Sequence, residues 1–173
     1  MKVVVDTSTL ISLAKIGELQ RLMKMRKEVI TPDVVYDEAV VEGEKRGIVD
    51  AAIIKGYFSD NSIKIAKLDK SPWNNLQKRL GKVLEKGDHA VLALCMQEKI
   101  HEILTDDEGL GKIAINLGFK VTASADLLLE ALKGKDMGYE GFELGIKNLI
   151  VENRLSSRVA EIYIMEGKSY EKK

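Results

Sequence analysis

At 173 residues the chain is sized for one domain, long enough to bury roughly two-thirds of its unfolded surface without a disulfide or structural metal. Lys plus Arg and Asp plus Glu number 27 each, so no global positive field draws in nucleic acid, and the single Cys95 cannot form an internal bridge. Cys95 stands in the apolar run Ala90-Val91-Leu92-Ala93-Leu94-Cys95-Met96 and reads as a buried thiol acting as a small hydrophobe. Only three apolar residues separate Lys2 from Asp6, too few for a secretory signal, and no run is long enough to span a bilayer. With no disulfide framework, the expectation is a cytoplasmic protein without membrane association. Basic clusters at Lys24-Met25-Arg26-Lys27 and Lys78-Arg79-Leu80-Gly81-Lys82 read as solvated helix faces rather than phosphate tracks.

Element types alternate along the chain, which predicts α/β layers around a mostly parallel sheet. A β-branched strand over 2–5 is ended by Asp6-Thr7-Ser8, and a helix carrying Leu10, Leu13, Ala14 and Ile16 follows. A second strand covers 28–30. Thr31 and Pro32 then predict a capped helix to about Glu42, stopped by Gly43. A short helix over 47–54 and a strand near 62–65 precede Asp69-Lys70-Ser71-Pro72-Trp73, which reads as a loop. Helices over 75–85 and 88–99 lead to a strand at 103–105, a helix at 108–117 and a strand at 119–122. Ser124 is placed to cap a helix over 125–132. Beyond Gly134 the pattern loosens. Helices are expected over 146–152 and 158–165, the second closed by Gly167, with a frayed end. The division is therefore an α/β domain over 1–137 with a helical extension of the same domain over 138–173.

In open parallel sheets ligands gather at the carboxyl ends of strands. Asp6 and the pair Asp106-Asp107 each directly follow a predicted strand, while Glu38 and Asp88 lie near helix starts. Each has an ordinary role available: Asp6 as an N-cap, Glu38 as a solvated helix residue, Asp88 as an acid favoured by a helix dipole, Asp106-Asp107 as a turn and cap. As a set they are the ligand type that Mg²⁺ and Mn²⁺ select, and crowded carboxylates repel unless a cation neutralises them. Competing chemistries lack anchors. His89 and His101 have no cysteine pair beside them, so a zinc site is not indicated, and His89 reads as a surface helix residue. No serine sits in a nucleophile elbow, and Gly109-Leu110-Gly111 falls inside a predicted helix instead of after a strand.

The segments Val3-Val4-Val5-Asp6-Thr7-Ser8, Val29-Ile30-Thr31-Pro32 running on to Glu38, Lys86-Gly87-Asp88-His89-Ala90 and Leu104-Thr105-Asp106-Asp107 occur in the order seen in the PIN-domain family, which the chain resembles over about 2–132. The resemblance implies a three-layer α/β/α sandwich with a central parallel sheet. It also implies an acidic pocket holding Mg²⁺ or Mn²⁺, with Asp6, Glu38, Asp88 and Asp107 as catalytic residues and metal ligands and Asp106 as an alternative fourth ligand. Thr7 or Ser8 would hydrogen-bond a carboxylate or a metal-bound water. Where the most similar subfamily commonly has Glu in its third motif, this chain carries the shorter Asp88. The implied activity is hydrolysis of RNA phosphodiesters, with RNA as substrate. Many prokaryotic members are similar to the toxins of toxin–antitoxin pairs, which implies an antitoxin protein partner and a homodimer. The alternative is a noncatalytic PIN-like module that binds RNA or protein.

Overall fold

The computed structural model describes residues 1–80 and 84–171. Five strands, β1 (Lys2–Val5), β2 (Glu28–Pro32), β3 (Ile63–Ala66), β4 (Glu102–Leu104) and β5 (Lys120–Thr122), form one sheet in the order β3-β2-β1-β4-β5. Every pairing is parallel; Val4 lies opposite Ile30 on one side and Ile103 on the other. The central strand is a run of fully buried Val3, Val4 and Val5, as a strand covered on both faces requires.

Between β1 and β2 run α1 (Thr7–Lys15) and α2 (Leu19–Met25). Between β2 and β3 the chain forms α3 (Asp33–Tyr36), a π-helical turn (Asp37–Val41), α4 (Glu42–Lys45) and α5 (Val49–Ser59). These two connections step in one direction along the sheet. The connection through α6 (Lys70–Leu80) and α7 (Lys86–Glu98) jumps back past β1 to β4, and α8 (Glu108–Asn116) continues to β5. Right-handed crossovers put the first set on one face and the second on the other. Packing agrees: α1 lies against α5, and α7 lies against β1, β2 and α6. The result is an α/β/α sandwich. No helix among the described residues is long and apolar enough to cross a membrane.

The last helices, α9 (Ser124–Lys133), α10 (Tyr139–Val151) and α11 (Ser157–Glu171), build a second apolar cluster around Leu128, Leu132, Phe142, Ile146 and Leu149. It adjoins the main core through Ile16 and Met25, which pack on both.

Several boundaries differ from expectation for identifiable reasons. Thr31 does not cap a helix; it is buried in β2 and its hydroxyl donates to the Val5 carbonyl at 2.9 Å, joining the two strands instead. Gly43 is no terminator. A Cβ there would stand 2.7 Å from that of Ala51, so the glycine is what lets α4 touch α5, and the turn comes at Gly47 with φ +69°. The segment 69–73 is not a loop: Ser71 and Pro72 occupy the first turn of α6, where a proline is tolerated, and Trp73 stacks on His89 with ring centroids 4.1 Å apart. His89 is accordingly buried and its Nε2 contacts the Trp73 carbonyl at 2.9 Å, which corrects its surface assignment. Helix α10 starts earlier than its glycines suggest, and α11 continues past Gly167 because the Phe142 ring packs against that position. The expected continuation of α6 through 81–83, with Lys82 of the second basic cluster, and the terminal Lys172 and Lys173 lie outside the described residues.

Arg26 is not part of a solvated face either. It is buried at the amino-terminal edge of the sheet, with Nη2 donating to Glu102 at 3.0 Å and to Glu130 at 2.6 Å. Burial alone would raise the Glu102 carboxyl, but hydrogen bonds from Lys120 and Thr122 and the Arg26 charge outweigh it and hold the group below its ordinary range. Removing one partner of a buried ion pair strands the other. Arg26→Ala is therefore expected to lower unfolding free energy by about 3 kcal/mol, read by urea denaturation. A loss under about 1 kcal/mol, the range of exposed pairs, would show that Lys120 alone neutralises Glu102.

Candidate active site

The connections from β1 and β4 leave on opposite faces of the sheet, so the gap beyond their carboxyl ends is a topological switch point. The Asp6 N–H donates to the Leu104 carbonyl at 3.0 Å, which levels the two strand ends. Asp6, Glu38, Asp88 and Asp107 line one cavity of about 120 Å³ there, together with Thr7, Ser8, Glu85 and Gly87. Asp106 does not line it. Its two carboxylate oxygens accept from the Ser124 N–H and hydroxyl, both at 2.7 Å, which fastens the start of α9. Ser124 thus reaches Asp106, while the α9 amino end is capped by Asp126 accepting from the Ala123 N–H at 2.9 Å.

Each acid is held by local structure. Asp6 is the N-cap of α1: Oδ1 accepts from the Thr9 N–H at 2.9 Å, Ser8 donates to both oxygens at 2.9 Å, and Thr105 donates to Oδ2 at 2.6 Å. The carboxyl is only 6% exposed, and this burial raises it to about 6 against the lowering effect of those hydrogen bonds. Glu38 sits on the π-helical turn, an irregularity that re-aims a side chain within a helix. Thr7 donates to its Oε2 at 2.6 Å. A Cβ on Gly87 would come within 2.9 Å of Glu38 Oε1, so the glycine at the start of α7 is what gives that carboxylate its room. Asp88, in the first turn of α7, is also raised to about 6, first by burial and then by the charges of Asp107, Glu85 and Glu38. Asp107 caps α8, accepting from the Leu110 N–H at 2.7 Å.

Two contributors were not anticipated: Glu85 adds a further acid to the cavity, and Thr105 holds Asp6. Ser8, expected on a carboxylate, donates to Asp6 and also accepts from the Asp106 N–H at 2.9 Å. Glu85, three positions before Asp88, was expected to end the helix over 75–85 and stands instead just before α7; the role of Thr105 depends on strand pairing and carries no local signal.

Among the described residues no lysine or arginine forms an ion pair with Asp6, Glu38, Glu85, Asp88 or Asp107. Nor, as they are placed, do three acidic, histidine or cysteine side chains among those residues stand close enough to enclose an ion. The donor set is carboxylate and hydroxyl oxygen throughout, which suits a hard divalent cation and not zinc or copper.

A family model described as a PIN domain matches residues 2–162. The chain belongs to the PIN domain family. Among solved structures it is similar to VapC20 of Mycobacterium tuberculosis, described as a sarcin-ricin loop cleaving toxin. The TM-score is 0.51 at 15% identity, covering 64% of this chain and 94% of that one, a likeness of fold. No curated protein sequence matches it significantly.

The raised Asp6 carboxyl has a thermodynamic consequence for the metal-free PIN domain. The folded state holds this proton more tightly than the unfolded chain, so the contribution is neutral below the ordinary carboxylate range and becomes a penalty as pH rises through about 6. Asp6→Asn, which keeps a capping oxygen, is expected to gain up to about 3 kcal/mol on the wild type between pH 4 and pH 7 in EDTA. Denaturant titrations at several pH values read this; a stability difference that stays flat with pH would mean Asp6 titrates normally.

Proposed function

We propose that this PIN domain is a Mg²⁺- or Mn²⁺-dependent endoribonuclease, with Asp6, Glu38, Asp88 and Asp107 as catalytic residues and metal ligands. The observation that carries the reading is the convergence of these carboxylates at the switch point with no cationic side chain among the described residues to neutralise them. Crowding of this kind is unfavourable unless a cation is bound. Of the two aspartates after β4, Asp107 is the ligand, and Asp106 braces the site from outside through Ser124.

When bound, the ion supplies Lewis-acid stabilisation of the charge that grows on the phosphate oxygens. Asp88, in the first turn of α7 among the other acids, is placed to take a proton from the attacking water. Thr7 keeps Glu38 turned into the cavity, and Ser8 and Thr105 keep Asp6 there. The catalytic unit is residues 1–137, and 138–173 are its helical extension. The neighbouring fold is that of a toxin described as cleaving the sarcin-ricin loop, which supports RNA as the substrate. The same reading carries a cytoplasmic toxin of a toxin–antitoxin pair, with an antitoxin protein as partner and a homodimer as its form. A noncatalytic binding module is the second reading, favoured by Asp6, whose oxygens already accept from Thr9, Ser8 and Thr105.

The Asp88 side chain makes no hydrogen bond among the described residues that the fold would lose. Asp88→Asn preserves size and removes one charge. It is expected to cut cleavage of a mixed RNA pool with Mg²⁺ or Mn²⁺ on the order of a hundredfold while leaving the fold intact. The time course is compared with wild type and with an EDTA control. Equal cleavage by both proteins removes Asp88 from the site, and no cleavage by folded wild type favours the binding module.

A further inference from the structure

The acidic cavity does not stand alone. Beyond Glu38 it shares a wall with a groove of about 460 Å³ between α1, α4 and the start of α5, lined by Lys15, Arg46, Asp50 and Arg154. Beyond Asp107 it shares a wall with a second groove of about 300 Å³, lined by Lys112, Ser124, Leu155, Tyr163 and again Arg154. One side chain therefore borders both grooves that flank the acids.

Its backbone is firmly set. Helix α10 ends in a Schellman motif: Asn153 takes the left-handed conformation at φ +54°, its N–H donates to the Ile150 carbonyl at 2.9 Å, and the Arg154 N–H donates to the Leu149 carbonyl at 2.8 Å. In that motif the Arg154 position usually carries an apolar residue packing back on the helix. Next to it, Glu152 pairs with Lys15 at 2.8 Å, and Lys15 also pairs with Asp50 at 3.3 Å, so the turn is tied to α1 and α5. Arg154 is half-buried, and among the described residues its guanidinium makes no ion pair or hydrogen bond. Arg46, across the larger groove, likewise has no ion pair among them.

A polyanion approaching a pocket of five carboxylates in a chain of zero net charge needs local cations to hold the phosphates on either side. We propose that Arg154 binds a backbone phosphate of single-stranded RNA next to the phosphate at the acidic cavity, so that the turn between α10 and α11 completes the substrate path. This rests on the nuclease reading and adds to it a role for the carboxy-terminal extension. A guanidinium suits a phosphate through two parallel hydrogen bonds. The backbone bonds of the turn fix where this side chain leaves the chain, between the two grooves.

The test uses the full chain in an Asp88→Asn background with Mg²⁺, where a short fluorescent single-stranded RNA is titrated by anisotropy over a range of salt. Arg154→Gln is expected to weaken binding on the order of tenfold and to reduce the slope of log affinity against log salt by about 0.7, the loss of one phosphate contact. Arg154→Lys is expected to restore the slope and much of the affinity, and both variants to melt with the parent. Unchanged affinity and slope overturn the inference and leave the nuclease reading standing, as does weaker binding with an unchanged slope, which marks a structural role. Arg154-dependent binding of a polyglutamate peptide with Arg154-independent binding of RNA makes the groove a protein site and overturns it too. RNA that binds none of these proteins at any salt concentration removes both readings.

Discussion

The edge of the sheet is organised by one pairing, that of β1 with β4. The N–H of Asp6 reaches Leu104 at 3.0 Å, and the Thr105 hydroxyl, 99 residues away in the chain, returns to Asp6 Oδ2 at 2.6 Å. That junction is where the crossovers reverse direction, so the helices on either side diverge and leave a crevice. Glu38 and Asp88 enter it on α-helical elements from opposite faces, the first from the π-helical turn after β2 and the second from the start of α7. Without the β1–β4 register, each of these acids would be an unrelated surface residue.

The two ends of the sheet treat buried charge differently. At the amino ends of the strands, Glu102 is buried and answered from within the protein by Arg26, Lys120 and Thr122. The group is held low, and the ensemble ties β4, β5 and α9 to the segment before β2. At the carboxyl ends, Asp6 and Asp88 are raised, with hydroxyls and backbone N–H groups as their hydrogen-bond partners where bonds exist. A fold that matches a buried acid with a guanidinium at one edge gathers acids at the other with no ion pair to them among the described residues. The contrast lies in the partners and not in burial, since acids are buried at both edges.

Much of this was legible in the sequence, and the part that was not has a physical pattern. The β-branched run 3–5, the acids that follow two strands and the Gly87-Asp88 helix start are local signals of the strands and the alternation, while the sandwich followed from the resemblance to the PIN-domain family. Glycines misled where they serve contact and not conformation: Gly43 lies under Ala51 and Gly145 under Leu128, and neither breaks its helix. Ser71-Pro72 looked like a loop because a proline in a first helical turn and one in a turn are alike in sequence. Arg26 looked solvated because its partners, Glu102 and Glu130, lie far along the chain. In the candidate site the acids themselves were readable by type and position. The choice between Asp106 and Asp107 was not, since it depends on Ser124 drawing Asp106 aside across a strand.

Helix α9 belongs to both apolar clusters: Leu127 lies in the main core, while Leu128, Leu129, Ala131 and Leu132 lie in the second. The pair α10–α11 has no strand of its own and adds no residue to the sheet. Its stability is thus drawn from α9, from Ile16 and Met25 and from the Lys15–Glu152 pair, and the pair of helices is expected to open as a unit while the sheet stays closed. In amide hydrogen exchange this corresponds to sub-global opening, with the amides of α10 and α11 released together at a free energy below that of β1 and β4. The acidic crevice would survive such an opening with its strand ends intact, but one wall of the neighbouring groove would leave with the helices.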